Sequence, residues 1–285
     1  MLSPYVNEFL YEVNRITDGT QPAGGQGVSV TPAQNAFGTY AQILGTASSL
    51  PIDFDCYELE ILVNNSAITG TARDTMVTIG FDEAGGTTYT DKILHLVCGP
   101  TSLAADSGEW PAGGVTFKFP LRIKAGTSIA AKASVNSATL TAFQVSAIVR
   151  GKPTHPELIW AGSGVETIGA STGTSAGTGI TSGGADEGAY TLLGSSTKRY
   201  RYMELGVGYN SAGMFYSANW VDIGIDAAST RRVIRNADFR TDTNETLTKR
   251  VALTPANVPA GSAIYARVQS TTASQTPSIA VYGVY

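Results

Sequence analysis

The chain of 285 residues has two histidines, and neither sits in a metal-binding or catalytic pattern. His95 lies inside the apolar run Ile93-Leu94-His95-Leu96-Val97, where a strand histidine with ordinary hydrogen bonds is expected. His155 stands between Pro153 and Pro156. No Cys, His or Asp accompanies either at metal-ligand spacing, so neither a metal nor a cofactor is expected. Gly169-Ala170-Ser171-Thr172-Gly173 matches the nucleophile-elbow pattern, and Gly173-Thr174-Ser175-Ala176-Gly177 matches it again. A working elbow needs a buried strand before it and a helix after it, whereas these matches lie in a Gly/Ser/Thr tract. Asp53, Asp55, Asp82 and Glu83 are the carboxylates to weigh as a glycosidase pair. Asp82 recurs as Asp226, which points to a turn where Asp bonds its own backbone. Asp53-Phe54-Asp55 lacks the remaining ligands of a calcium loop. No catalytic residue is assigned, and an enzyme is not expected.

Side chains suited to contact are easier to find. Tyrosine occurs thirteen times, and Tyr200, Tyr202, Tyr209 and Tyr216 fall close together, either as core or as interface. Arg231, Arg232 and Arg235, with Arg240 beyond, suggest an anionic neighbour. A nucleic-acid footprint needs a more basic domain, so no nucleic-acid partner is expected. Residues 1–160 carry nine Lys/Arg against fourteen Asp/Glu, and residues 189–285 carry ten against six. Opposite signs on the two halves could align adjacent copies, or reflect drift between duplicates. Trp110, in the Gly108-Glu109-Trp110-Pro111 stretch, marks an enlarged loop that either contacts a partner or tucks onto its own domain.

The elements that must position these residues are mostly short strands. Val6, Phe9, Leu10, Val13 and Ile16 recur at spacings of three and four, which predicts a helix over 3–17. Ser3 and Pro4 start it and Asp18-Gly19 stops it. Its apolar stripe packs across the open end of the first domain, or serves as a docking arm on a partner. Beyond it, runs such as Tyr57–Val63 alternate apolar and polar residues and read as half-buried strands. The expected fold is all-β: two tandem antiparallel β-sandwich, jelly-roll-like domains behind a short N-terminal α-helix. The expected divisions are a helix or docking arm at 1–20, a first sandwich at 21–152, a Gly/Ser/Thr-rich linker at 153–188 and a second sandwich at 189–285. Cys56 and Cys98 both fall in the first half, so the shared framework does not depend on a disulfide. Neither a signal peptide nor a membrane span is expected.

Two sandwiches are expected because the second half repeats the first in order. Leu192-Leu193-Gly194-Ser195 answers Ile43-Leu44-Gly45-Thr46, and Tyr202 to Ala212 answers Tyr57 to Ala67. Ile223-Gly224-Ile225-Asp226 answers Ile79-Gly80-Phe81-Asp82, and Pro259 to Val268 answers Lys124 to Ala133. The offsets are 149, 145, 144 and 135. Duplication of a whole scaffold favours a binding or assembly protein over a catalyst. The motif (Pro/Lys)-Ala-Gly-(Ser/Thr)-x-Ile-x-Ala-(Arg/Lys), with the closing Val281-Tyr282-Gly283, resembles a recurrent module of tailed-bacteriophage virion proteins. The second copy matches through Val258 to Gly283, and the first departs at Lys124, where proline is usual. The resemblance implies jelly-roll-like domains, a homo-oligomer (trimer or higher ring) and no catalytic residues. It also implies other phage virion proteins as partners and a place in the virion, assembled in the host cytoplasm. Capsid decoration, neck and tail positions share such modules. A tail receptor-binding protein holding a host glycan is the alternative. Val6, Phe9, Leu10, Val13, Trp110, Arg231, Arg232 and Arg235 are the expected partner-interface residues.

Overall fold

The structure is a computed structural model that describes residues 9–13, 27–45, 51–64, 75–98, 114–135, 143–151, 160–173, 177–209, 217–226, 231–241, 248–249, 253–272 and 274–285. Every regular element among them is a β-strand. Residues 9–151 supply two five-stranded sheets. In one, β1 (Phe9–Val13) and β2 (Val28–Val30) both pair with β10 (Phe143–Gly151), followed by β5 (Glu58–Asn64) and β8 (Gly114–Phe119). In the other, β3 (Ala33–Gln34) and β4 (Ala41–Leu44) pair with β9 (Ser128–Val135), followed by β6 (Thr75–Asp82) and β7 (Thr90–Val97).

Residues 165–284 repeat the plan. Here β11 (Val165–Ile168) and β12 (Thr178–Gly179) pair with β20 (Pro277–Val284), followed by β14 (Tyr200–Tyr209) and β18 (Thr254–Val258). The last sheet runs β13 (Thr191–Ser195), β19 (Ala263–Ser270), β15 (Ser217–Ile225), β16 (Arg231–Thr241) and β17 (Thr248–Lys249). Strand pairings are antiparallel except β3 on β9. Among the described residues no sheet draws strands from both halves.

Two expectations need correction. Residues 9–13 form a strand, not part of a helix, and the rest of the predicted helix, Val6 included, lies outside the described residues. The same apolar residues also alternate as Phe9, Tyr11 and Val13, and the open edge of β10 offers a full ladder to a strand. β1 also has a counterpart. Leu10 faces Arg150 as Val165 faces Val284, so β11 takes the place of β1. The Gly-rich segment read as a linker therefore carries two strands, and Gly177 before β12 has the same left-handed backbone (φ 118°) as Gly27 before β2 (φ 131°).

Register also moves two of the sequence matches by one residue. Leu59, Ile61 and Val63 point into the first core, and Met203, Leu205 and Val207 occupy their places in the second, an offset of 144 rather than 145. Gln42 and Leu44 flank a bulge on β9 as Leu192 and Gly194 flank one on β19, an offset of 150 rather than 149. A one-residue slip would turn each strand inside out, so burial decides between the alignments. The β6 and β15 match stands, down to paired bulges at Val77/Ile79 and Val221/Ile223. The Ala-Gly turns stand too, with φ 83° at Gly126 and 84° at Gly261.

These bulges carry the chemistry that distinguishes the copies. His95 and Asn236 are the left-handed residues opposite them, at φ 52° and 49°. The His95 N–H donates to Thr78 Oγ1 at 3.2 Å, and the Asn236 N–H donates to Asp222 Oδ1 at 2.8 Å. A hydroxyl in one copy has become a buried carboxylate in the other. Arg267 donates to Asp222 Oδ2 through Nη2 at 2.8 Å, and Arg232 Nη1 lies 3.3 Å away. Burial disfavours the Asp222 charge, but the Asn236 N–H and Arg267 outweigh it and hold the carboxyl below the usual range. Arg267 sits 4.6 Å over the Tyr190 ring, as Lys132 sits 4.7 Å over Tyr40 in the first copy.

The two halves meet through the outer face of β20 and β14. Tyr282 is fully buried, its ring edge-on to Phe117 and Phe119 with centroids at 5.6 and 6.2 Å. Its hydroxyl accepts from the Val97 N–H at 2.6 Å and donates to the His95 carbonyl at 2.9 Å. Gly206 makes room for it, since a Cβ there would lie 2.5 Å from that hydroxyl. Thr167 Oγ1 donates to the Leu94 carbonyl, and Gly162 bonds through N–H and C=O to Pro120 and Arg122. Val165, Ala280, Tyr282 and Val284 belong to the same apolar cluster as the first core.

Replacing Tyr282→Phe strips both backbone groups of β7 of their buried partner. It should lower unfolding free energy by about 1–3 kcal/mol, read by denaturant titration. Asp222→Asn should cost about 1–3 kcal/mol at neutral pH. Because the folded carboxyl titrates below its unfolded value of about 4, its contribution is present above that pH and lost as pH falls through the folded pKa. The gap between wild type and D222N should therefore close in acid, and a gap constant with pH would refute the charge-based account.

Candidate functional site

Most residues with chemical potential are already engaged structurally. Asp82 accepts from the N–H groups of Ala84 and Thr88, the self-bonded turn expected of it. Asp55 accepts from the Ala125 N–H at 2.9 Å and from Arg122 at 3.1 Å, contacts that hold its carboxyl below the usual range. Glu83 bonds Lys124. His95 donates from Nδ1 to the Ala170 carbonyl at 3.0 Å and stacks on Phe37 at 5.1 Å. The Gly169–Gly173 stretch has no helix after it among the described residues, and the Gly173 carbonyl takes the Ser134 hydroxyl. Cys56 and Cys98 are buried and form no disulfide with each other, and burial pushes the Cys56 thiol up to about 12. Among the described residues no group of three His, Cys, Asp or Glu could hold a metal, and no helix is long and apolar enough to cross a membrane.

What remains is a hollow of 290 Å³ where the two halves adjoin, lined by Trp160, Arg199, Arg201, Tyr202, Pro255, Ala256 and Asn257. β14 supplies Arg201 and Tyr202, Arg199 lies one residue before that strand, and β18 supplies the floor. The Trp160 indole stacks on Tyr202 at 5.4 Å and 28°, and the Arg201 guanidinium lies 5.1 Å from the indole. Arg199 donates through Nε and Nη2 to Asn257 Oδ1 at 3.3 and 3.0 Å. Arg231 donates to the Asn257 carbonyl at 2.6 Å. Neither contact involves a carboxylate. Glu166 accepts from the Thr197 and Lys198 N–H groups and from the Tyr200 hydroxyl. The site therefore pairs an aromatic wall with arginines that have no carboxylate partner among the described residues.

The expected interface residues fall in three groups. Arg231 bonds the carbonyl of Asn257, a lining residue of the hollow, Arg232 is drawn to Asp222, and Arg235 is exposed on β16. Phe9, Leu10 and Val13 lie on β1, away from the arginines in sequence and in sheet. Val6 and Trp110 lie outside the described residues. Of the tyrosines, Tyr200 is core and Tyr202 lines the hollow. Trp160, Arg199, Arg201 and Asn257 carry no sequence motif. Only their register against the first copy singles them out.

No protein-family model and no curated protein matches the chain. Among solved structures, it is similar to the CBM22-1–CBM22-2 tandem domain of Paenibacillus barcinonensis Xyn10C. That alignment has 11% identity, covers 96% of this chain and 91% of that one, and has a TM-score of 0.24. It is also similar to the structure of infectious bursal disease virus, Gx strain, with 12% identity, 97% and 72% coverage, and a TM-score of 0.25. At these TM-scores the likenesses carry no conclusion about function. The family-independent result is an all-β chain of several antiparallel sheets with no helix among the described residues.

Proposed function

We propose that this protein is a non-enzymatic structural component of a bacteriophage virion, docking on other virion proteins as a capsid decoration or accessory protein. In this reading the halves are tandem jelly-roll-like sandwiches, and the protein works as a trimer or higher ring. The observation that carries it is the duplicated framework, locked into one body by the buried Tyr282 contact. Three of the candidate acids, Asp55, Asp82 and Glu83, support it as well, because they are engaged in turns and ion pairs. A tail receptor-binding role is the second reading, favoured by the stacked Trp160 and Tyr202 walls of the hollow, which could take a host surface glycan.

Mass spectrometry of purified particles should find the protein at a fixed copy number, and electron microscopy of the labelled chain should place it on the head or neck. Its absence from purified particles would sink the virion assignment. Adsorption of the isolated protein to host cells, without binding to particles lacking it, would favour the second reading.

A further inference from the structure

We propose that the hollow at β18 takes an extended acidic peptide segment of a neighbouring virion protein, a proposal that rests on the docking role above. The first copy shows what fits such an edge. There, Pro120–Arg122 is covered by residue Gly162, whose N–H donates to the Pro120 carbonyl at 2.7 Å and whose carbonyl accepts the Arg122 N–H at 3.0 Å. Leu121 and Gly162 form a parallel bridge. Strand register places Pro255 and Asn257 where the first copy has Pro120 and Arg122, because Tyr200 faces Val258 as Cys56 faces Ile123. β18 is the last strand of its sheet, and apart from its ladder with β14 no backbone bond from a described segment reaches Pro255–Asn257. An open edge of this kind accepts an added strand.

Charge says what kind of strand. In the first copy the corresponding side chains are Asp55 and Arg122, a closed ion pair at 3.1 Å, with Tyr57 beside them. In the second copy these positions hold Arg199, Asn257 and Arg201. A self-neutralised pair has become two arginines bonded or stacked, among the described residues, only to neutral groups, and Arg231 adds a third. Each guanidinium keeps donors in a fork that matches a carboxylate. The residues that changed between the copies thus surround the edge that lost its cover.

The test uses the full chain and a hexaglutamate peptide, with hexagalacturonate as the saccharide comparison. Titration should detect hexaglutamate binding that weakens with added salt. The double change Arg199→Asp with Asn257→Arg restores the first copy's ion pair. It should leave the thermal midpoint in place and weaken binding about tenfold or more. Should the double variant fold poorly, Arg201→Gln at the exposed rim should still weaken binding several-fold, about threefold. No hexaglutamate binding, or binding unchanged in both variants, overturns the proposal. So does hexagalacturonate binding without hexaglutamate binding. In parallel, wild type and variants are mixed with particles lacking this protein. Wild type that binds the peptide but not the particles overturns the docking role and leaves the site standing. Particle binding that both variants retain overturns the site and leaves the docking role standing.

Discussion

The rest of the structure depends on one buried hydroxyl. β7 ends its sheet, and its His95 carbonyl and Val97 N–H find their partner outside that sheet. Burying those two groups without partners would be costly, and Tyr282, 185 residues along the chain from Val97, satisfies both with a single oxygen. Its ring meanwhile seals the first core against Phe117 and Phe119. One side chain thereby satisfies an edge and extends a core. A phenol suits the task because its body is apolar and its tip both donates and accepts.

From that junction follows the position of the hollow. Residues 160–162 must cross from the edge of the first copy to the start of the second, and they cover Pro120–Arg122 on the way. Trp160 is left standing beside Tyr202, over the equivalent edge that has no such cover. The asymmetry of the site is therefore a consequence of tandem geometry: a segment that joins two copies can cover an edge of only one. Selection could then alter side chains at the uncovered edge without touching the framework.

The framework itself holds at matched points while its chemistry diverges. Thr78 and Asp222 cap the same left-handed bulge, and Lys132 and Arg267 lie over the same tyrosine. The first exchange keeps the hydrogen bond to the bulge and adds a carboxylate, and the second keeps a cation over the ring. Neither exchange alters the strand order. They also separate residues that hold the fold from residues available for a partner.

Several of these features were legible in the chain. The Ala-Gly turns, the Ile-Gly-x-Asp strand ends, the self-bonded Asp82 and the order of the repeat are local, because turn chemistry and alternation act over a few residues. Register was not legible at β5 and β4, where sequence similarity sat one residue from the true pairing, because only burial tells which face of a strand looks inward. Residues 9–13 satisfy both a helical and an alternating pattern, and the open edge of β10 chose between them. Composition made 161–188 read as a connection, yet a glycine-rich stretch can pair as well as any other once an edge such as β20 is there to receive it. The sequence by itself thus determined an all-β, duplicated chain and its turns. Tertiary structure alone decided the registers, the Tyr282 junction and the arginine hollow, since each joins residues whose contact depends on how the sheets are packed.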